Sequence, residues 1–235
     1  MRIGEVYARW KKRRGRDEVL VLGDSHACVF NHHLFSDIYK NVFFDVVAVS
    51  AATVSGLENP NSKTQALPLF RKAMRKSRAK TVITLMGEVD VGFVIWYRAE
   101  KYGVPVAEMM RQAVDNYQKL LRELAESRKV ICVSTPYPTI GDGQDWGAVA
   151  NARKDVKTPL AARTELTRVF NAEMEAFCRA HGIAYLSLDA ESLDERGFVR
   201  RGLLNADALD HHYDAKSYAG LIIGKLHGEG VTFPD

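Results

Sequence analysis

The chain has 235 residues, of which 46% are hydrophobic and 26% charged, with 17 glycines, 7 prolines and 3 cysteines. These proportions exclude a disordered chain, a collagen-like repeat and a disulfide-stapled scaffold, and the length favours one domain. No apolar run reaches the roughly 20 residues that a bilayer requires, and we expect neither a membrane span nor a secretion signal. Three cysteines far apart in sequence predict reduced thiols and a cytoplasmic protein.

The net charge of +4 is concentrated at the N-terminus. Residues 1–16 contain seven Arg or Lys side chains and one Glu, whereas the rest of the chain contains 26 basic and 28 acidic side chains. We therefore interpret residues 1–17 as a basic arm and residues 18–235 as the domain. Such an arm could contact nucleic acid or an anionic surface, but chain ends are commonly solvated. We favour a solvated terminus and expect no nucleic-acid partner.

Short apolar runs alternate with segments of helical character along the chain. The runs are too continuously apolar for a sheet with one wet face, and they are typical of parallel strands covered on both sides. The sequence therefore predicts a single three-layer α/β/α domain with a five-stranded parallel sheet. The predicted strands span residues 18–22, 42–49, 81–85, 130–133 and 183–188, and the predicted helices span about 62–78, 105–127, 159–181 and 215–227.

The ends of the predicted strands carry the polar residues, and ligands bind at the carboxyl ends of an open parallel sheet. Gly23-Asp24-Ser25 follows the first strand. A serine at such a turn lies at a helix N-terminus, where N–H groups favour negative charge, and this suits a nucleophile that attacks a carbonyl. The alternative is that Asp24 or Ser25 only caps the following helix.

Two further segments follow the second and third strands. Gly56 lies in a loop of small residues and could bring its N–H close to a ligand, or it could be a plain turn glycine. Gly87-Glu88-Val89-Asp90 holds two carboxylates, which could do acid–base work. Alternatively they could cap the next helix and pair with Arg98.

A long connection separates the fourth strand from its helix. Residues 135–158 have the length typical of a lid or binding loop. Tyr137 and Trp146 within it could stack on sugars, or they could only anchor the loop.

Asp207, Asp210, His211 and His212 lie just before the last helix. Paired histidines beside carboxylates can be metal ligands, but a metal site requires further ligands that the sequence does not place. A histidine with a nearby acid is also the general-base half of a Ser–His–Asp arrangement. No catalytic role is assigned to the other histidines, which are His26, His32, His33, His181 and His227.

In this order, the four segments resemble the SGNH (GDSL-like) hydrolase superfamily, over about residues 18–227. The resemblance implies a flavodoxin-like strand order 2-1-3-4-5 and a site that needs no metal or organic cofactor. It implies that Ser25 is the nucleophile and that the N–H groups of Ser25 and Gly56 bind the oxyanion. Asp24 and Glu88 are assigned to the same oxyanion and substrate-binding region. The Gly-Glu-x-Asp segment is similar to that of a less-studied subset often found beside carbohydrate-polymer enzymes.

Two departures from the superfamily pattern affect the assignment of roles. The third segment of the superfamily reads Gly-x-Asn-Asp, and here Glu88 lies close to the expected place of the amide; an ionised carboxylate cannot donate a hydrogen bond to an oxyanion. The second departure is that neither His211 nor His212 has an aspartate three residues before it. In the superfamily the histidine is followed five residues later by Gly-Tyr, and Ser217-Tyr218 stands at that distance from His212. The resemblance therefore favours His212 as the base, with Asp210 as its orienting acid and Asp207 as the reserve.

Three functions follow from these residues. The first is a serine esterase that hydrolyses a short acyl ester, of the acetyl type, on a carbohydrate or small molecule. The second is an O-acyltransferase of polysaccharide modification, in which an acceptor hydroxyl replaces water. The third is a non-catalytic carbohydrate-binding module, in which Glu88 has disabled the oxyanion site.

Overall fold

Five parallel strands form one sheet in the computed structural model, which describes residues 15–142, 158–207 and 210–233. The strand order is β2-β1-β3-β4-β5, and every neighbouring pair is parallel. This confirms the predicted fold class and the order that the resemblance implies. The strands are β1 (Asp17–Gly23), β2 (Val42–Ala48), β3 (Thr81–Leu85), β4 (Lys129–Val133) and β5 (Ala184–Leu186).

Helices cover both faces of the sheet. The helices are α1 (His33–Ile38), α2 (Ala66–Lys76), α3 (Ile95–Tyr102), α4 (Val106–Ala125), α5 (Leu160–Ala180), α6 (Asp189–Ser192) and α7 (Ala215–Gly228). The four predicted helices correspond to α2, α4, α5 and α7, whereas three short ones, α1, α3 and α6, were not predicted from the sequence. Helix α3 continues from a π-helical turn at Asp90–Val94, and a 3₁₀ helix at Ser25–Asn31 precedes α1.

The core is divided into two layers by the sheet. Alternate residues of β1 point to opposite faces: Leu20 and Leu22 pack in one layer, and Val19 and Val21 in the other. Helices α2, α4 and α5 cover the first layer, and α1, α7 and the Ser25–Asn31 turn cover the second. The serine turn and the last helix therefore share one face of the sheet, which brings the two ends of the chain together.

Several predictions concern segments at the edges of the described structure. Residues 1–14 of the predicted arm lie outside the described residues, and Asp17 already begins β1. Trp146 also lies outside them. Tyr137 is 2% exposed and packs in the core, so it cannot stack on a sugar, and the anchoring alternative describes it better. No helix in the described parts of the chain is long and apolar enough to span a membrane.

Candidate active site

The turn that carries Ser25 is held tightly between two strands. A Cβ atom at Gly23 would lie 2.2 Å from the carbonyl oxygen of Leu85 and 2.6 Å from the Cβ of Ala27, so only glycine fits. The chain leaves β1 at Gly23 and enters the 3₁₀ helix at Ser25. This close approach presents Ser25, which is half-buried, at the carboxyl edge of the sheet.

Asp24 caps the turn from inside the protein. Its carboxylate is fully buried, accepts the N–H of His26 at 2.9 Å, and accepts the N–H of Gly87 at 3.2 Å. The second bond ties the turn after β1 to the turn after β3. Gly87 has a φ of 115°, a conformation that suits glycine, and this aims its N–H at Asp24. We therefore interpret Asp24 as a residue that positions the turn, in place of the substrate-binding role predicted from the sequence.

Ser25, His212 and Asp210 form a continuous chain of hydrogen bonds. The Oγ of Ser25 lies 2.8 Å from the Nε2 of His212, and the Nδ1 of His212 lies 2.6 Å from the Oδ1 of Asp210. A carboxylate can only accept, so Nδ1 carries the proton and Nε2 presents a lone pair to the serine hydroxyl. This is the arrangement in which an imidazole can take the serine proton.

Asp210 is held ionised and oriented by its neighbours. Its Oδ1 also accepts the backbone N–H of His212 at 2.9 Å, and its Oδ2 accepts the side-chain amide of Asn205 at 3.0 Å. Partial burial raises the pKa of Asp210, but the hydrogen bonds from His212 outweigh it and leave the pKa below its usual value. The acid is therefore a charged acceptor for the imidazole at neutral pH.

The segment that carries His212 is fixed at both ends. Asp214 caps α7 by accepting the N–H of Ser217 at 2.8 Å, and its own N–H donates to the carbonyl of Leu203 at 2.9 Å. On the other side, the hydroxyl of Thr139 donates to the carbonyl of His211 at 2.8 Å. The loop after β4 and the last helix therefore hold the imidazole in place together.

The structure distinguishes between the paired residues that the sequence left open. His212, and not His211, contacts both Ser25 and Asp210. Asp207 is exposed, and its backbone carbonyl accepts the N–H of Asp210 at 3.0 Å.

One residue of the site was not predicted from the sequence. His26 is buried, its Nδ1 lies 3.1 Å from Asp24, and its ring centroid lies 4.6 Å from that of His212. No local sequence signal marks it, because part of its surroundings comes from the C-terminal loop.

The loop after β2 is held by Asp90. The two carboxylate oxygens of Asp90 accept the N–H groups of Val54 at 2.7 Å and Ser55 at 3.1 Å. In this loop the N–H of Gly56 donates to the carbonyl of Thr53 at 3.2 Å. To bind an oxyanion, the N–H of Gly56 would have to share its hydrogen with the carbonyl of Thr53 or break that hydrogen bond. The oxyanion-binding role of Gly56 stays a prediction.

A cavity of about 450 Å³ lies beside the serine. It is lined by Ser25, His212 and Asp210, and by apolar groups of Val29 and Tyr218 among others. Its volume is in the range of small-molecule pockets, and its walls are mainly apolar with a few polar groups at the triad.

Solved structures similar to this one are hydrolases. No protein-family model matches the chain, and no curated protein matches it. A GDSL-like lipase from Bacteroides thetaiotaomicron VPI-5482 superposes with a TM-score of 0.61 and 17% identity, over 93% of this chain and 90% of that one. A carbohydrate acetylesterase from Sinorhizobium meliloti superposes with a TM-score of 0.57 and 12% identity, over 92% and 100%. An extracellular lipase from Streptomyces rimosus superposes with a TM-score of 0.54 and 13% identity, over 89% of this chain and 99% of that one. The chain has the SGNH hydrolase fold. At these identities the likeness establishes the fold alone.

The third SGNH segment differs here from the pattern Gly-x-Asn-Asp. Counted from Gly87, the place of the amide belongs to Val89 and not to Glu88, and Val89 is a buried apolar residue. Glu88 is 1% exposed, and its Oε1 lies 2.9 Å from the place that a Cβ on Gly92 would occupy. Glu88 therefore lies one residue before the place of the amide, close to it in sequence but not at it. The side chain of Val89 has no hydrogen-bond donor, so this place does not supply the donor of the SGNH pattern.

Asp90 is expected to make the stability of the protein depend on pH. Burial raises its pKa from 3.8 to about 6, although the N–H groups of Val54 and Ser55 and the nearby Arg98 lower it. Between these pH values the folded state binds a proton that the unfolded chain has released, so stability falls as pH rises through this window. The shift corresponds to about 3 kcal/mol.

The variant Asp90→Asn removes this titration. Between a pH of about 4 and about 7, its free energy of unfolding should therefore decrease less than that of the wild type. Urea unfolding of both proteins at a pH of about 4 and about 7 measures the difference. The same fall in both proteins would contradict the assignment.

Proposed function

We propose that the protein is a serine esterase of the SGNH type, and the observation that carries the proposal is the hydrogen-bonded chain from Ser25 through His212 to Asp210. The Nε2 of His212 takes the hydroxyl proton as the Oγ of Ser25 attacks the ester carbonyl. The C–O bond to the alcohol then breaks, and the imidazolium returns the proton to the departing oxygen. In the second half-reaction His212 takes a proton from the water that attacks the acyl-serine. The bond between the acyl carbon and the Oγ of Ser25 then breaks, the imidazolium returns the proton to Oγ, and the carboxylic acid leaves.

In this proposal, backbone N–H groups bind the oxyanion of the tetrahedral intermediate. The N–H of Ser25 lies in the first turn of its 3₁₀ helix, where N–H groups have no acceptor within the helix. The N–H of Gly56 is the second donor in this proposal. With Val89 at the place of the SGNH amide, that place supplies no third donor. The loss of one such donor costs about 10²–10³ in rate, so we expect slow turnover compared with an SGNH enzyme that has the amide.

The proposed substrate is a short acyl ester, of the acetyl type, on a carbohydrate or small molecule. The mainly apolar cavity beside Ser25 supports an acyl group on that side. The similar structure from Sinorhizobium meliloti is described as a carbohydrate acetylesterase, which supports a sugar as the alcohol component. Because one fold serves many substrates, acyl-chain length and alcohol should be compared directly, with acetyl, butyryl and octanoyl esters of p-nitrophenol and of a methyl glycoside.

A fluorophosphonate probe tests the proposal without knowledge of the substrate. Such a probe reacts with a serine whose hydroxyl is activated by a base, and peptide mass spectrometry locates the adduct. We expect one adduct, on Ser25, and no adduct on the exposed Ser36, whose hydroxyl donates to the backbone carbonyl of His33 at 2.8 Å. An unlabelled Ser25 in folded protein would overturn the proposal and favour the non-catalytic binding module.

A further inference from the structure

Three imidazoles meet beside Ser25, although only one of them belongs to the proposed triad. One ring nitrogen from each of His26, His211 and His212 lies within 4.8 Å of those of the other two. The rings of His26 and His211 have their centroids 4.6 and 4.0 Å from that of His212. His26 is buried, whereas the other two are half-buried. The third histidine ligand that the sequence could not place is thus supplied by the residue next to the serine.

We propose that these three side chains form a binding site for a divalent cation of the zinc class, and that the cation blocks the triad when it binds. Neutral imidazole is a preferred zinc ligand, and three histidines with one water make a four-coordinate set. Zn–N bonds of about 2.0–2.1 Å place the ligand nitrogens of a tetrahedral site about 3.3 Å apart. The present separations therefore have to close by about 1.5 Å at most.

Two of the three imidazoles are already oriented as zinc ligands usually are. The Nδ1 of His26 lies 3.1 Å from the carboxylate of Asp24, and the Nδ1 of His212 lies 2.6 Å from that of Asp210. A carboxylate behind the ring keeps the proton on Nδ1 and leaves the lone pair of Nε2 for the metal, and it raises the basicity of the ligand. The cavity beside Ser25 is lined by both His26 and His212, and it provides a path for the ion and room for a water ligand.

The cation and the serine compete for one lone pair. The Nε2 of His212 accepts the hydroxyl of Ser25 at 2.8 Å, and a nitrogen bound to a cation cannot also accept that proton. Binding of the cation does not depend on the proposed function. Inhibition does rest on the proposed esterase activity, so the two are measured separately.

Isothermal titration of the chelator-treated full chain with Zn²⁺ tests the binding. We expect one ion per chain, and His211→Gln should weaken the affinity roughly tenfold or more, since even outer-shell partners of a metal site are worth 10–100-fold. His227→Gln, which changes an exposed histidine in the last turn of α7, is the matched control and should bind as the wild type does. His26→Gln is the second ligand variant. The absence of one-to-one binding, or unchanged affinity in His211→Gln, would overturn the site.

A second measurement tests the competition. Fluorophosphonate labelling of Ser25 should fall as Zn²⁺ saturates the site, with the same midpoint as the titration, and should return after addition of a chelator. In His211→Gln the midpoint should move to higher Zn²⁺ concentration by the same factor as the affinity. If Zn²⁺ binds while Ser25 is labelled at the same rate or faster, the proposed competition is wrong. A protein that binds Zn²⁺ but is never labelled would contradict the esterase proposal and leave the metal site standing.

Discussion

Replacement of Ser25 with alanine is expected to reduce kcat for ester hydrolysis by about 10⁴–10⁶, to the rate that binding and oxyanion donors alone provide. The reason is that Ser25 is the only hydroxyl that contacts His212 among the described residues. The fold should survive, because the half-buried hydroxyl makes this one side-chain contact and leaves no large cavity when removed. Single-turnover and steady-state kinetics with p-nitrophenyl acetate measure the loss, and Ser36→Ala is the control at an exposed serine of α1.

His212→Ala should produce a loss of similar size, and the two losses should not add. Ser25 and His212 act as one unit, so the double variant should be no slower than the slower single variant. Losses that multiply would show that the two residues act independently, which contradicts the base–nucleophile relation. A loss under tenfold in Ser25→Ala would mean that hydrolysis occurs elsewhere on the protein.

The fold could be predicted from the sequence because the strands are buried on both faces. Continuous apolar runs such as those of β1 and β3 have no period-2 alternation, and only helices on both sides of a sheet explain them. Strand β5 is the exception: six residues were predicted, and three are paired with β4. The π-helical turn before α3 was not predicted, since a run that is apolar all round carries no helical period.

Three residues of the site, Ser25, His212 and Asp210, could be predicted because they lie in segments that the sequence marks. The place of Ser25 at the end of β1 left a cap or a nucleophile open, and the resemblance to the SGNH superfamily favoured the nucleophile. The choice of His212 followed from the superfamily spacing to Ser217-Tyr218. His26 could not be found this way, because its neighbours are set by Asp24 and by the C-terminal loop, 185 or more residues away in sequence. The role of Tyr137 was open for the same reason: whether an aromatic residue anchors a loop or faces a ligand depends on what packs against it.

Buried carboxylates join the segments that the sequence shows as separate motifs. Asp24 binds the turn after β1 to the turn after β3, and Asp90 binds the start of the π-helical turn to the loop after β2. Each accepts backbone N–H groups from a loop, which compensates for its burial. Asp90, which the sequence offered for acid–base chemistry, and Asp24 therefore hold the loops in which the reacting groups lie. Asp210, at the edge of the cavity, is left as the acid of the triad.

Asp210→Asn is expected to reduce kcat by about 10⁴ while leaving the fold intact. The amide of Asn205 donates to the Oδ2 of Asp210, so an amide nitrogen placed there would face another donor. The Oδ1 of Asp210 also accepts the backbone N–H of His212, so the one oxygen of an asparagine cannot serve both sides: when it turns to Asn205, the NH₂ group faces the Nδ1 of His212. That nitrogen then has to accept, the ring proton moves to Nε2, and the imidazole can no longer take the proton of Ser25. Asp207→Asn, which removes a nearby exposed carboxylate, is the matched control and should retain kcat within a few-fold.

The same geometry predicts a partial rescue. In the double variant N205D/D210N the carboxylate at position 205 accepts the new NH₂ group, which lets the amide oxygen at position 210 face the Nδ1 of His212 again. The tautomer needed for catalysis is then restored. The negative charge, however, now lies at position 205, behind the side chain of residue 210, and no longer directly beside the imidazolium. We expect the double variant to be faster than Asp210→Asn by at least tenfold and slower than wild type, by kcat with p-nitrophenyl acetate. A double variant no faster than Asp210→Asn would mean that the charge of Asp210, and not its hydrogen-bond direction, sets the rate; a loss equal in Asp207→Asn and Asp210→Asn would remove Asp210 from the triad.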